Sequence, residues 1–141
     1  MKNYQVIGIM SGTSCDGLDI AYCQFVLDQN QWTYKILASK MVDYSSEWRF
    51  KLKEAFNLSR KELELLDKEL GILFGKETTQ FIQENKLTDI DFIASHGHTV
   101  FHKPHEGITL QIGAGQELKK ETQLPVINDF RSADVAAGGQ G

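Results

Sequence analysis

Three strand-like segments crowd the first 43 residues, and this restricts the fold more than any other feature of the chain. Tyr4 to Met10 is an apolar run suited to a buried strand. Leu18 to Val26 is apolar on both faces, with one carboxylate, Asp19, near its start. Trp32 to Val42 alternates, which puts Tyr34, Ile36 and Ala38 on one face. Asp28-Gln29-Asn30 supplies turn residues between the second and third segments. Connections this short predict an antiparallel meander.

The link between the first two segments is longer than a hairpin needs, since two residues suffice to turn. It reads Ser11-Gly12-Thr13-Ser14-Cys15-Asp16-Gly17. Glycines let backbone amides approach an anion closely, and consecutive amides form a concave anion site. Hydroxyls at Ser11, Thr13 and Ser14 add donors, and Asp16 or Asp19 can hold Mg²⁺ directly or through water. This chemistry suits the β- and γ-phosphates of a nucleotide. GxxxxGK[ST] is absent, so it is not a Walker loop. A generous hairpin loop with capping hydroxyls explains the same residues, and on the residues alone both readings stand.

Helices follow the meander. Ser45 or Ser46 can cap one that carries Trp48, Leu52, Ala55 and Phe56 on one side. Ser59-Arg60-Lys61-Glu62 is a capping box. The apolar series Leu63, Leu66, Leu70, Leu73, Phe74, Phe81 and Ile82 then predicts a long amphipathic helix ending near Asn85, packed on a sheet in preference to a partner helix. Further on, three short strands end in polar residues. Phe92-Ile93-Ala94 runs into Ser95-His96-Gly97-His98-Thr99, and Ile108 to Ile112 runs into Gly113-Ala114-Gly115. A helix from about Ala114 to Thr122 leads to Val126-Ile127, which runs into Asn128-Asp129-Phe130-Arg131. Strand ends are where open α/β sheets take ligands.

Composition narrows the classes. The 141 residues suffice for one domain with a core, at 41% hydrophobic and 24% charged. A net charge of −4 with no basic cluster argues against a nucleic-acid or membrane-surface binder. The run Val6 to Met10 is too short for a signal-peptide core or a membrane span, which predicts a cytoplasmic protein. Two cysteines make no disulfide framework and no CxxC zinc pair. Cys23 reads as a small hydrophobe on a strand; Cys15 lies in the loop, where it can be exposed, and nothing marks it as a nucleophile.

All four histidines fall in SHGHTVFHKPH: His96, His98, His102 and His105. On a regular strand His96, His98 and His102 share a face, which admits a metal site. No Asp, Glu or Cys nearby completes a tetrahedral set, apart from Glu106. Hydrogen bonds from the rings and the Thr99 hydroxyl to a polyhydroxylated ligand rank above metal, and His105 reads as a solvated loop residue. In NDFRSAD, Arg131 offers a planar fork for a carboxylate or phosphate, and Asp129 and Asp134 can bond sugar hydroxyls. A helix start explains that segment too, with Asn128 or Asp129 as cap and Arg131 paired to Asp134.

Taken in order, GIMSGTSCDGLDIA, SHGHTVFHKP, TLQIGAGQEL and NDFRSADVAAGGQG resemble the anhydro-N-acetylmuramic acid kinase family, from the first strand to the last residue. The resemblance implies an α/β fold of the actin/hexokinase/Hsp70-like (ribonuclease H-like) group. Residues 1–141 would be the first of two lobes, a mixed five-stranded sheet with a meander start and flanking helices. It implies a kinase that uses ATP and Mg²⁺, opens the 1,6-anhydro bond of anhydro-N-acetylmuramic acid with water and phosphorylates O6 in cell-wall recycling. Gly12, Thr13, Ser14, Cys15, Asp16, Gly17, Leu18 and Asp19 would then bind nucleotide, with Asp16 and Asp19 at Mg²⁺. His96, His98, Thr99, Asp129 and Arg131 would bind the amino sugar. His98 departs from the glutamine expected there. Family members continue past the position of Gly141, and the catalytic base is expected in that later part, so this chain alone should be inactive. A homodimer would belong to the complete enzyme. The other readings are a nucleotide-binding scaffold of the same fold group and a histidine-cluster metal protein.

Overall fold

The computed structural model describes residues Met1–Gly141. The opening meander is β1 (Lys2–Ser11), β2 (Gly17–Asp28) and β3 (Gln31–Asp43), paired antiparallel in register from Lys2↔Leu27 to Ser11↔Leu18 and from Gly17↔Asp43 to Asp28↔Gln31. Helices α1 (Ser46–Glu54) and α2 (Arg60–Glu84) follow, then β4 (Phe92–Lys103), β5 (Ile108–Ile112), α3 (Gly115–Thr122), β6 (Val126–Asn128) and α4 (Phe130–Ala136). The strands form one mixed sheet in the order β3-β2-β1-β4-β5, with β6 also on β4. The α/β class, the mixed sheet and its meander start are as the sequence predicts.

The sheet has six strands, not five, because β4 continues well past Ala94. Its first half pairs in parallel with β1 on one edge and with β6 on the other. Its second half pairs antiparallel with β5, on the edge that β6 has just left. Gly97 makes this possible. It adopts φ +76°, which a residue with a Cβ adopts at a cost, and a Cβ there would lie 2.7 Å from the Ile112 carbonyl oxygen. The strand bulges at this point, shifting register between Ile9 and Ser11 on β1.

The main core cluster lies on one face of the sheet. Ile7, Ile9, Leu18, Ile20 and Ile93 of the sheet meet Leu66, Leu70, Phe74 and Phe81 of α2 and Leu118 of α3 in a single cluster. The Ser59–Glu62 capping box starts α2 as predicted, and Asn85 caps its end. Two glycines inside α2 serve close packing. A Cβ at Gly71 would meet the Ala114 carbonyl oxygen at 2.5 Å, and one at Gly75 would meet Glu121 Cβ at 2.4 Å. The helix therefore lies directly against the backbone that leads into α3. Asp67 fastens the contact: its carboxylate accepts from Gly113 N–H at 2.8 Å, and its carbonyl accepts from Ala114 N–H at 2.9 Å.

Two apolar expectations are corrected by local irregularities. A bulge opposite Tyr22 and Cys23 inserts Leu37, so Ala38 turns toward the core while Tyr34 and Ile36 stay exposed on the far side. A 3-10 turn over Ala55–Asn57 ends the first helix and swings Phe56 into solvent, although Leu52 and Ala55 are buried.

Candidate functional site

The loop between β1 and β2 leaves the sheet at Ser11, beside β4. Cys15 N–H donates to the Gly12 carbonyl at 3.1 Å and closes a turn; Tyr44 N–H donates to the Asp16 carbonyl at 2.9 Å. Gly17 passes so close to Val42 that a Cβ would lie 2.4 Å from its carbonyl oxygen. Thr13, Ser14 and Asp16 face solvent, with Gly12 and Gly17 half-buried beside them. Cys15 and Leu18 are buried, so any contact from these two with an outside ligand would be through backbone. Cations stand close by: Arg49 Nη1 of α1 is 3.9 Å from Asp16, and the charge of Lys53 on the same helix reaches Cys15.

The bulge at Gly97 sends His96 and His98 to opposite faces, so the shared face expected from even spacing does not form. His98 is in register with Ser11 and points into the core side, 2% exposed. Ser11 Oγ lies 3.0 Å from His98 Nδ1, and Tyr44 Oη donates to Ser11 Oγ at 2.8 Å. Cys15 Sγ is 3.9 Å from His98 Nε2. Burial, followed by the charge of His96, pushes the His98 imidazole below its ordinary pKa; burial pushes the Tyr44 phenol up to about 12.

His96 faces the open side of the sheet. Arg131 Nε donates to His96 Nε2 at 2.8 Å, across 35 residues of sequence. Arg131 is therefore engaged with β4 and not with Asp134, which accepts from Gly141 N–H at 2.7 Å. His96, Asp19, Lys40, Met10 and Phe130 line one open depression of about 520 Å³. Asp129 precedes α4 with φ +62° and makes no side-chain capping bond, so its carboxylate is not spent on the helix. With His96, Asn128 and Gln111 it borders a small cavity of about 20 Å³, room for one water. Ser95 also lines this cavity, and Ser95 Oγ and Gln111 Oε1 are buried without a hydrogen-bond partner.

The sequence-predicted residues thus divide. Asp19, His96 and Arg131 come together, with Asp129 next to His96. Thr99 accepts from Gln111 Nε2 at 3.3 Å, alongside Thr109 at 2.9 Å. His102 bonds Thr109 at 3.1 Å, away from His96, and His105 is exposed beside Glu106. No three His, Cys, Asp or Glu side chains converge as a metal site. Ser11, a loop hydroxyl donor by sequence, is buried beneath the loop; Ser95, part of a polar strand end by sequence, is buried too, and Tyr44 and Gln111 join the site without being among the sequence-predicted residues. Gln111 alone left a signal, a polar side chain inside the apolar strand TLQI.

Asp16 is exposed in the turn beside Arg49, and Asp19 lines the open depression with His96; a magnesium site of the usual kind takes one or two carboxylates together with ligand phosphates and water. The donor-rich, solvent-facing turn and the cations of α1 fit phosphate oxygens.

A mixed sheet with α1, α2 and α3 packed on one face, and polar groups gathered where β4 changes partners, defines an α/β protein of mixed-sheet architecture. The family model described as anhydro-N-acetylmuramic acid kinase matches residues 4–141, and the chain belongs to that family. Relatives named anhydro-N-acetylmuramic acid kinase include one from Pseudoalteromonas atlantica, 37% identical over 149 residues, covering 96% of this chain and 37% of the relative. One from Brucella canis is 39% identical, covering 97% and 39%; one from Synechococcus elongatus is 35% identical, covering 97% and 38%. The chain spans less than two fifths of the length of these relatives. A solved Aquifex aeolicus member of the Ppx/GppA family is a distant likeness, with TM-score 0.37 and 17% identity over 91% of this chain and 35% of that one. No helix is long and apolar enough to cross a membrane.

Proposed function

We propose that residues 1–141 form the first lobe of a two-lobe, cytoplasmic sugar kinase that phosphorylates anhydro-N-acetylmuramic acid at O6 while water opens the 1,6-anhydro bond. The loop Gly12–Asp19 holds the phosphates of ATP. Asp16 and Asp19 hold Mg²⁺, which when bound neutralises charge on the phosphates. His96, Arg131 and Asp129 bind and orient the amino sugar, with Thr99 behind them through Gln111. The observation that carries the reading is the Arg131–His96 hydrogen bond. It joins two distant motifs beside a depression that also takes in Asp19 of the nucleotide loop.

Phosphoryl transfer rests on positioning and charge stabilisation from both sides of a cleft. This lobe supplies one side. The base that activates water belongs to the portion that the longer relatives carry, so the 141-residue chain binds without turning over. Equilibrium dialysis against labelled anhydro-N-acetylmuramic acid tests the sugar half. Retention by the intact chain and its loss in Arg131→Ala support the reading; no retention, or equal retention by both, contradicts it. Sugar phosphate formed by the isolated chain would overturn the assignment of the base.

A further inference from the structure

We propose that His98 is a positioning residue that holds the nucleotide loop from beneath, through a one-directional hydrogen-bond chain running from Tyr44 to the Thr13 carbonyl. The proposal deepens the reading of the loop as a phosphate site, and its first two tests need no nucleotide.

The order of donors follows from the geometry. Tyr44 Oη donates to Ser11 Oγ at 2.8 Å. The Ser11 proton then has His98 Nδ1 as its acceptor at 3.0 Å. An accepting Nδ1 puts the ring proton on Nε2, which lies 3.9 Å from Cys15 Sγ. The Cys15 thiol in turn donates to the Thr13 carbonyl at 3.5 Å. Each proton has one acceptor. A proton on Nδ1, in the other tautomer or in the imidazolium, would leave the buried Ser11 hydroxyl competing for an acceptor, and buried polar groups without partners are disfavoured. Ser11, Cys15, Tyr44 and His98 are 1%, 3%, 5% and 2% exposed, so water cannot replace a missing link.

The chain ends on the part of the loop that is hardest to hold. Cys15 has φ +57°, unusual for a residue with a side chain. Anchoring its sulfur between His98 and Thr13 keeps the turn in that conformation and leaves Thr13 and Ser14 facing solvent. The anchor sits on β4 two residues beyond His96, so one strand supports the phosphate loop on one face and the sugar site on the other.

Imidazole ¹H–¹⁵N spectra of the intact chain at neutral pH are the direct test. The proposal expects His98 as the neutral Nε2–H tautomer; the Nδ1–H tautomer or an imidazolium overturns it. Amide exchange supplies the second test. His98→Ala should accelerate exchange at Gly12 to Asp16 by about tenfold or more while α2 keeps its protection. His98→Gln should restore the loop, because an amide can accept from Ser11 and donate to Cys15. Unchanged loop exchange in His98→Ala, or acceleration equal in α2, overturns the proposal. If His98→Ala does not fold, Cys15→Ala cuts only the last link, and the same local acceleration is expected from it. A third readout is affinity: His98→Ala should weaken Mg-ATP by about tenfold, with His98→Gln rescuing it. An intact chain that binds no nucleotide would sink the phosphate reading, and the tautomer and exchange results would still decide the role of His98.

Discussion

Arg131 and His98 show how single side chains set this site. Arg131 spends its Nε–H on His96 and leaves the rest of a planar fork for a ligand. A lysine keeps the charge and loses that geometry, so Arg131→Lys should weaken sugar binding by about tenfold, measured by dialysis or calorimetry. His98 carries a pH dependence. Its folded pKa lies below the ordinary 6.5, through burial and then His96. The unfolded chain therefore binds a proton that the folded chain resists, and stability falls as pH drops from about 6.5 toward the depressed value. The contribution is complete above that window. His96 is the charge that acts on His98; Asp16 and Lys53 act on Cys15, which lies against the His98 ring, and Asp19 acts on Tyr44 at the head of the chain. Urea midpoints of wild type and His98→Gln at pH 7.5 and pH 5 isolate the effect. The advantage of wild type should shrink at the lower pH; parallel curves would contradict the assignment. None of this is legible in SHGHT by spacing alone, because the positive φ at Gly97 reverses the alternation that spacing assumes.

At the scale of elements, the sequence is informative wherever periodicity is undisturbed. The meander, the capping box and the stripe from Leu66 to Phe81 are all visible before folding, because they follow from side-chain period and caps. The extent of β4 is not visible. Its second half reads as a polar loop and is a strand only because β5 pairs with it. Bulges at Leu37 and Gly97 likewise depend on partners far away in sequence. Gly71 and Gly75 did leave a trace, since glycine inside a helix is unfavourable and needs a packing reason. In an exposed helix Gly→Ala stabilises; here Gly71→Ala should lower thermal stability, since the added carbon meets the Ala114 backbone. Phe74→Ala, from a fully buried position beneath Gly113, should cost about 3–5 kcal/mol in denaturant unfolding. A stabilising Gly71→Ala would contradict the close packing of α2 on the start of α3.

The whole molecule is one-sided. Helices cover the face with Ile7, Ile9 and Ile93, while Trp32, Tyr34, Ile36 and Met41 stand exposed on the other, Trp32 at 59% and Tyr34 at 73%. Tyr4 stacks near Trp32 and Phe25 near Tyr34, extending an apolar surface across three strands. An apolar face this continuous favours association in water. The isolated chain should self-associate as concentration rises in analytical ultracentrifugation, and Trp32→Lys with Tyr34→Lys should reduce it. A monomer at all concentrations would show that the face is tolerated. The ordered motifs make the family legible from sequence, whereas the placing of His96 and His98 on opposite faces of β4 is a property of the folded sheet.

The most direct test of the account is residue-resolved amide NMR of the 141-residue chain, titrated separately with Mg-ATP and with anhydro-N-acetylmuramic acid. The account predicts nucleotide-induced shifts at Gly12 to Gly17 and sugar-induced shifts at His96 and Asp129 to Arg131. A well-folded sample that responds to neither ligand, or only at other positions, would contradict the claim that this lobe carries both half-sites.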